Sequence, residues 1–300
     1  MLGPRPSSST APSIWYAAVL VPKRNPAGSR SASGDGVTRT PSHAGGHRGQ
    51  GCAGSPRACG RIGQVSVEIR RGEQRFTERE PGRLTRHAFS FGTHYDPDRL
   101  SFGPLVCHDD HLLGAAQGFA EHPHSGLDIV TWVVSGEVRH VDGLGNEVLL
   151  GAGECGVLRA GSGVRHSEFA GAGAARFVQA WLTAPPDGVP GYAHQAPTPA
   201  AGAGLVRLAG AADRDGERES GDGLALSVAG AAYDVVRLDA GETLTLPAAP
   251  RLHAFVVTGA LLRSSLAEPL QAGDAFALVE EPEHEVTAAV PSELLVWSFR

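Results

Sequence analysis

From Val65 onward the chain trades apolar for polar positions in short runs. Val65, Val67 and Ile69 alternate with Ser66, Glu68 and Arg70, and Ile129, Thr131 and Val133 alternate with Val130, Trp132 and Val134. A period of two is that of extended backbone, whose successive side chains face opposite sides of a sheet. FVQAWL (177–182) and LLVWSF (294–299) are apolar at nearly every position and predict strands buried on both faces. DGLGN (142–146), AGSG (160–163) and GAGAA (171–175) are turn signals between such runs. No long stretch of helical period competes, so short strands at this spacing predict an all-β sandwich or barrel.

The pattern occurs twice. HPHSGLDIVTWVVSGEVRH, LGAGECGVLRAGSGVRHSEF and ARFVQAWL are echoed by RLHAFVVTGALLRSS, LQAGDAFALVEEPEHEV and SELLVWSF. Each set has a strand ending in Gly, a Gly-acid turn, an apolar strand, a His near the next strand and a closing Trp strand, which predicts two similar β-domains in tandem. The Pro-rich stretch within 186–200 reads as the connection, giving domains over 62–185 and 201–300. Residues 1–61, rich in Ser, Pro, Gly and Arg, bury too little apolar surface to offset their ordering entropy and read as a disordered leader. The abrupt change of texture at VSVEIRRGEQRF also fits a translation start at Val65.

Charge narrows the partners. Residues 1–61 hold seven Arg and the chain's one Lys, Lys23, against a single acid, Asp35, which leaves 18 basic and 31 acidic residues beyond. An acidic body disfavours the phosphate backbone of nucleic acid. The apolar stretch Ile14–Val21 is too short to span a bilayer. Without a CxxC or a dense cysteine framework, the cytoplasm is the expected compartment, and Cys107 and Cys155 read as small buried apolar residues.

The chemistry concentrates in two dipeptide spacings. His122 and His124 are two apart at the head of a strand, so both imidazoles project from one face; His166 and Glu168 repeat the arrangement about forty residues on. Three neutral imidazoles and a carboxylate suit iron(II), manganese, nickel, cobalt or copper, whereas closed structural zinc favours cysteines.

RHAFSFGTHYDPDRLSFGPL, EHPHSGLDIVTWVVSGEVRHVDGLGN and RAGSGVRHSEF resemble, in order and spacing, successive signature stretches of the pirin family. The resemblance covers residues 65–185 and is looser beyond. It implies two tandem cupin domains, jelly-roll-like β-barrels, with one divalent metal, Fe(II) foremost, held in the first by His122, His124, His166 and Glu168. It also implies, for some members, quercetin 2,3-dioxygenase activity: a flavonol's 3-hydroxyl is activated at the metal, Glu168 is both ligand and base, and dioxygen opens the ring with release of carbon monoxide. A second reading is a non-enzymatic metal and redox sensor that binds a protein partner; a third is another enol chemistry on the same fold.

Other residues carry plainer expectations. Asp128 stands where many cupins have a ligand carboxylate, and is expected in support of the ligands. His140, on the strand after Gly136, has a cavity-facing reading, and the plainer expectation is the surface or a structural hydrogen bond; His87, His94, His108 and His111 are expected at the cavity mouth or in solvent. Phe119, Trp132 and Phe169 are candidates for an apolar substrate wall. His253 and His284 lack an HxH partner, so the second domain is expected to be metal-free, covering the first barrel.

Overall fold

The computed structural model describes residues 66–195, 202, 204–211, 223–264 and 268–300. The predicted leader over 1–61 lies outside them. The described residues belong to one compact unit and are built of strands, with a single 3-10 turn at Gly72–Gln74.

Strand β1 is Ser66–Arg70. The first barrel follows with β2 (Phe76–Glu80), β3 (Arg83–His87), β4 (Leu105–Leu113), β5 (Gly118–His124), β6 (Leu127–Ser135) and β7 (Glu137–Asp142). It closes with β8 (Glu147–Gly151), β9 (Cys155–Arg159), β10 (Val164–Ala170), β11 (Ala175–Thr183) and β12 (Gly191–Gln195). One sheet runs β12-β9-β6-β11-β4-β3-β2 and the other β5-β10-β7-β8. The second barrel comprises β13 (Leu205–Gly210), β14 (Leu224–Ala225), β15 (Ala231–Leu238), β16 (Thr243–Leu246) and β17 (Ala249–Thr258). Its remaining strands are β18 (Ala260–Leu261), β19 (Leu270–Gln271), β20 (Ala275–Glu281), β21 (His284–Thr287) and β22 (Ser292–Phe299). Its large sheet runs β1-β20-β17-β22-β15-β13-β14, with the pairs β16-β21 and β18-β19 beside it.

Two boundaries differ from the sequence expectation. β1, assigned to the first domain, pairs antiparallel with β20 of the second. The stretch read as a connection supplies β12, which pairs with β9 of the first. Exposed sheet edges recruit strands by backbone hydrogen bonding, and side-chain pattern does not encode which edge is available.

Period two sorts the large sheet of the first barrel into two faces. On β11 Phe177 and Gln179 point into the barrel, while Val178, Ala180 and Leu182 join a core shared with Tyr233, Phe255 and Trp297 of the second barrel. The two barrels therefore pack sheet on sheet through an apolar layer. Inside the second barrel the filling is apolar and, Phe276 apart, aliphatic, with Leu246, Leu252, Ala254, Val256, Leu278 and Val296 buried together. Inside the first, two small apolar clusters, around Phe177 and around Ile129, leave polar side chains between them.

Candidate metal centre

Strands β5 and β10 lie side by side, and their register builds the site. His166 pairs with His122 and Val164 with His124, so the two motif histidines and His166 share one face. The register then slips: Glu168 pairs with Phe119, leaving Ala120 and Glu121 opposite Ser167 alone. This bulge turns Phe119 to the Glu168 side of the sheet. Close backbone approach permits it, because a Cβ on Gly118 would lie 2.1 Å from the Glu168 carbonyl oxygen. On its other edge β10 pairs regularly with β7, setting His140 beside Glu168 and Asp142 beside His166.

The three imidazoles of His122, His124 and His166 converge with ring centroids 4.5–5.0 Å apart. One nitrogen from each lies within 4.8 Å of the others; His140, His166 and Glu168 form a second such group. His166 belongs to both, so four side chains meet around it. Glu168 is thus gathered with His166 and His140, and through His166 with the HxH pair.

Hydrogen bonds fix what each group can offer. His122 Nδ1 donates to the Ala120 carbonyl at 2.8 Å, which leaves Nε2 with its lone pair free for a metal. His124 Nε2 and both ring nitrogens of His166 are buried without a partner among the described residues, a costly state that a bound cation relieves. Burial, reinforced by the neighbouring imidazoles, lowers His124 to about 3. Burial lowers His166 to about 4 against the pull of Glu168. Both rings are neutral at pH 7, the form that ligates. The Glu168 carboxylate accepts from Gln179 Nε2 at 2.9 and 2.8 Å and from Thr131 Oγ1 at 3.2 Å. Burial pushes this carboxyl up, but His166, His140 and the Gln179 amide outweigh burial and hold it below the ordinary value. Gln179 is itself oriented by Trp181 Nε1, which donates to its carbonyl at 2.8 Å.

Several expectations change. His140 is buried, bonded to Asp142 at 3.1 Å and stacked on Tyr192 of β12 at 4.0 Å. The structural hydrogen bond is present, but the ring faces the site and not the surface. Its signal was the inward phase Val138, His140, Asp142 along β7. Thr131 and Gln179 were missed because polar residues in apolar strands look like exceptions until the face they share is known. Asp128 points out of the barrel and accepts the Ser227 amide at 2.5 Å, tying the second barrel to the first. Trp132 points outward too, donating to Glu293 at 2.9 Å, so it is no wall of the cavity. Phe169 occupies the opposite face of β10 from Glu168. Phe119 does line the site, packing against His111 and Phe177.

The preceding histidines are buried rather than solvated: His87 pairs with Asp109 at 2.7 Å, His111 with Thr85 at 2.9 Å inside the barrel, and His108 faces the second barrel. His94 is half-buried and stacks on Phe76. Cys107 and Cys155 are buried, as expected, and burial raises both thiols. In the second barrel His284 bonds Glu281 at 3.0 Å, and His253 lies at the boundary between the barrels.

Two jelly-roll-like barrels packed sheet on sheet, one carrying a His/Glu cluster, define a bicupin with a metal-binding site. Residues 70–182 match the family described as Pirin. The chain is 36% identical over 239 residues to a candidate quercetin 2,3-dioxygenase of Mycobacterium tuberculosis, covering 78% of this chain and 96% of that one. It is 43% identical over 83 residues to the quercetin 2,3-dioxygenase of Escherichia coli, 28% of this chain and 36% of that one. Among solved structures, the Escherichia coli pirin YhhW in complex with nickel(II) superposes with a TM-score of 0.68 at 26% identity, over 78% of this chain and 99% of that one. The chain belongs to the pirin family. Among the described residues, no helix is long and apolar enough to cross a membrane.

Proposed function

We propose that the first barrel is the centre of a mononuclear-metal dioxygenase acting on a flavonol such as quercetin, with His122, His124, His166 and Glu168 as ligands and Fe(II) as the preferred ion. The observation that carries this reading is the convergence of three imidazoles, two of them with buried nitrogens that find no partner among the described residues, beside a buried ionised carboxylate. The donor set of three nitrogens and one oxygen fits iron(II) and its neighbours, and the nickel(II) complex of the Escherichia coli pirin is consistent with that range. A bound divalent ion would supply Lewis acidity, lowering the pKa of a coordinated hydroxyl, and access to one-electron chemistry with dioxygen.

The chain's own groups supply the rest. Glu168, ionised and accepting from Gln179 and Thr131, is placed to accept the proton of a substrate hydroxyl entering beside His166. Phe119 and Phe177, around His111, offer an apolar wall for a flat aromatic substrate. His122 and His124 are only partly buried, which leaves the site open to solvent on that side.

The test is anaerobic iron(II) loading followed by oxygen uptake with quercetin, alongside Glu168→Ala. Uptake with loss of the flavonol in the parent alone is expected. Bound iron without uptake would overturn the dioxygenase reading in favour of the metal and redox sensor that binds a protein partner; no bound iron would overturn the ligand set.

A further inference from the structure

A second polar cluster lies between the barrels, outside the metal site. His108 of β4 pairs across β11 with Ala180, on the face turned toward the second barrel, and His253 of β17 meets it with ring centroids 4.9 Å apart. Arg70, at the end of β1, and Arg75, just past the 3-10 turn, bring two guanidiniums to the same place; all four residues are buried.

Donors outnumber acceptors in the cluster. Arg75 Nη2 donates to the His108 carbonyl at 2.6 Å and approaches its Nδ1 at 3.3 Å. Arginine carries no acceptor, so Nδ1 is the acceptor and His108 Nε2 bears the hydrogen. That Nε2, Arg75 Nη1, Arg70 Nη1 and both His253 nitrogens are buried and find no partner among the described residues.

The charge is unbalanced as well. Arg70 is paired with Glu68. The nearby carboxylates are committed elsewhere, Asp109 to His87 and Asp110 to Arg176 and Arg86. Among the described residues no carboxylate forms a salt bridge with Arg75, whose surroundings include the Phe255 ring at 4.7 Å. Asp110 and Asp109 act on this guanidinium only from beyond ion-pair distance. A guanidinium does not shed its proton, and a buried cation without a direct ion pair is destabilising. Burial and the two arginines keep both imidazoles neutral, with His253 at about 3. Arg75 is therefore the buried cation of the cluster that lacks an ion pair among the described residues.

We infer that the two barrels share a buried anion site, formed by Arg75, His108 and His253 with Arg70 at its edge, that takes one small monoanion, a halide or formate-sized carboxylate. The close approach of the two rings and the aromatic surroundings limit its size, and the one guanidinium without an ion pair sets its valence. Because its donors come from β1, the turn after it, β4 and β17, the anion bridges both barrels and pins the segment that crosses between them.

The experiment uses the full chain in chloride-free buffer with sodium bromide. Crystals should show an anomalous bromide peak between Arg75, His108 and His253. Saturating bromide should raise Tm by about 5 °C over sodium gluconate at equal ionic strength, with formate as the carboxylate arm. Arg75→Met, which removes the charge at similar length, and His253→Phe, which keeps the ring packing, should both abolish the anion-specific gain. Bromide found only at the surface, with equal Tm in the salts, overturns the inference, and the parent crystals decide it even if a variant fails to fold.

Discussion

At the scale of the residue, burial sets protonation and protonation sets chemistry. His111 sits inside the first barrel, bonded to Thr85 and packed by Phe119 and Phe177, and burial lowers it to about 4. An unfolded histidine titrates near 6.5, so between that value and about 4 the unfolded chain binds a proton that the folded one refuses. Stability therefore falls as pH falls, by about 2 kcal/mol from pH 7 to 5 for this one ring. In metal-free protein, His111→Phe should lose about 2 kcal/mol less than the parent over that interval, measured by urea unfolding at each pH. His87 works with the opposite sign: burial opposes its charge, but Asp109 and Glu78 outweigh burial and raise it, so its contribution is present at low pH and lost as pH rises through the folded value. That term is common to both proteins and cancels in the difference.

At the scale of the element, the decisive feature is the bulge between β5 and β10, where Glu168 and Phe119 are brought to one face. Gly118 makes it possible, because any Cβ there would overlap the Glu168 carbonyl. Gly118→Ala should part the two strands, costing about 3 kcal/mol of stability in urea unfolding. It should also reduce the iron retained after desalting, since Glu168 and His166 share β10 with the distorted backbone. The HxH and HxE spacings were legible in the sequence because a strand's period of two puts i and i+2 on one face whatever the fold. The slip in register was not legible, nor was His140 as a neighbour of Glu168, because pairing between strands depends on which edges meet.

At the scale of the molecule, the second barrel covers the outward face of the first. Trp132 donates to Glu293, Asp128 accepts from Ser227, and Val178, Ala180 and Leu182 bury against its large sheet. A fragment spanning 71–195 would expose that apolar face. Expressed alone it should aggregate, whereas the chain from Val65 onward should elute as a discrete species in size-exclusion chromatography. A monodisperse fragment retaining iron would show that the second barrel is dispensable for folding.

The sequence by itself determined the all-β class, the tandem repeat and the two ligand-type pairs, since each follows from side-chain periodicity within a single strand. Tertiary structure alone decided the rest: that β1 crosses to the second barrel, that β12 returns to the first, that Thr131 and Gln179 hold Glu168, and that Arg75 meets His108 and His253. Those relations join residues distant in the chain through backbone pairing and sheet packing, and a linear pattern carries no record of which faces and edges come together.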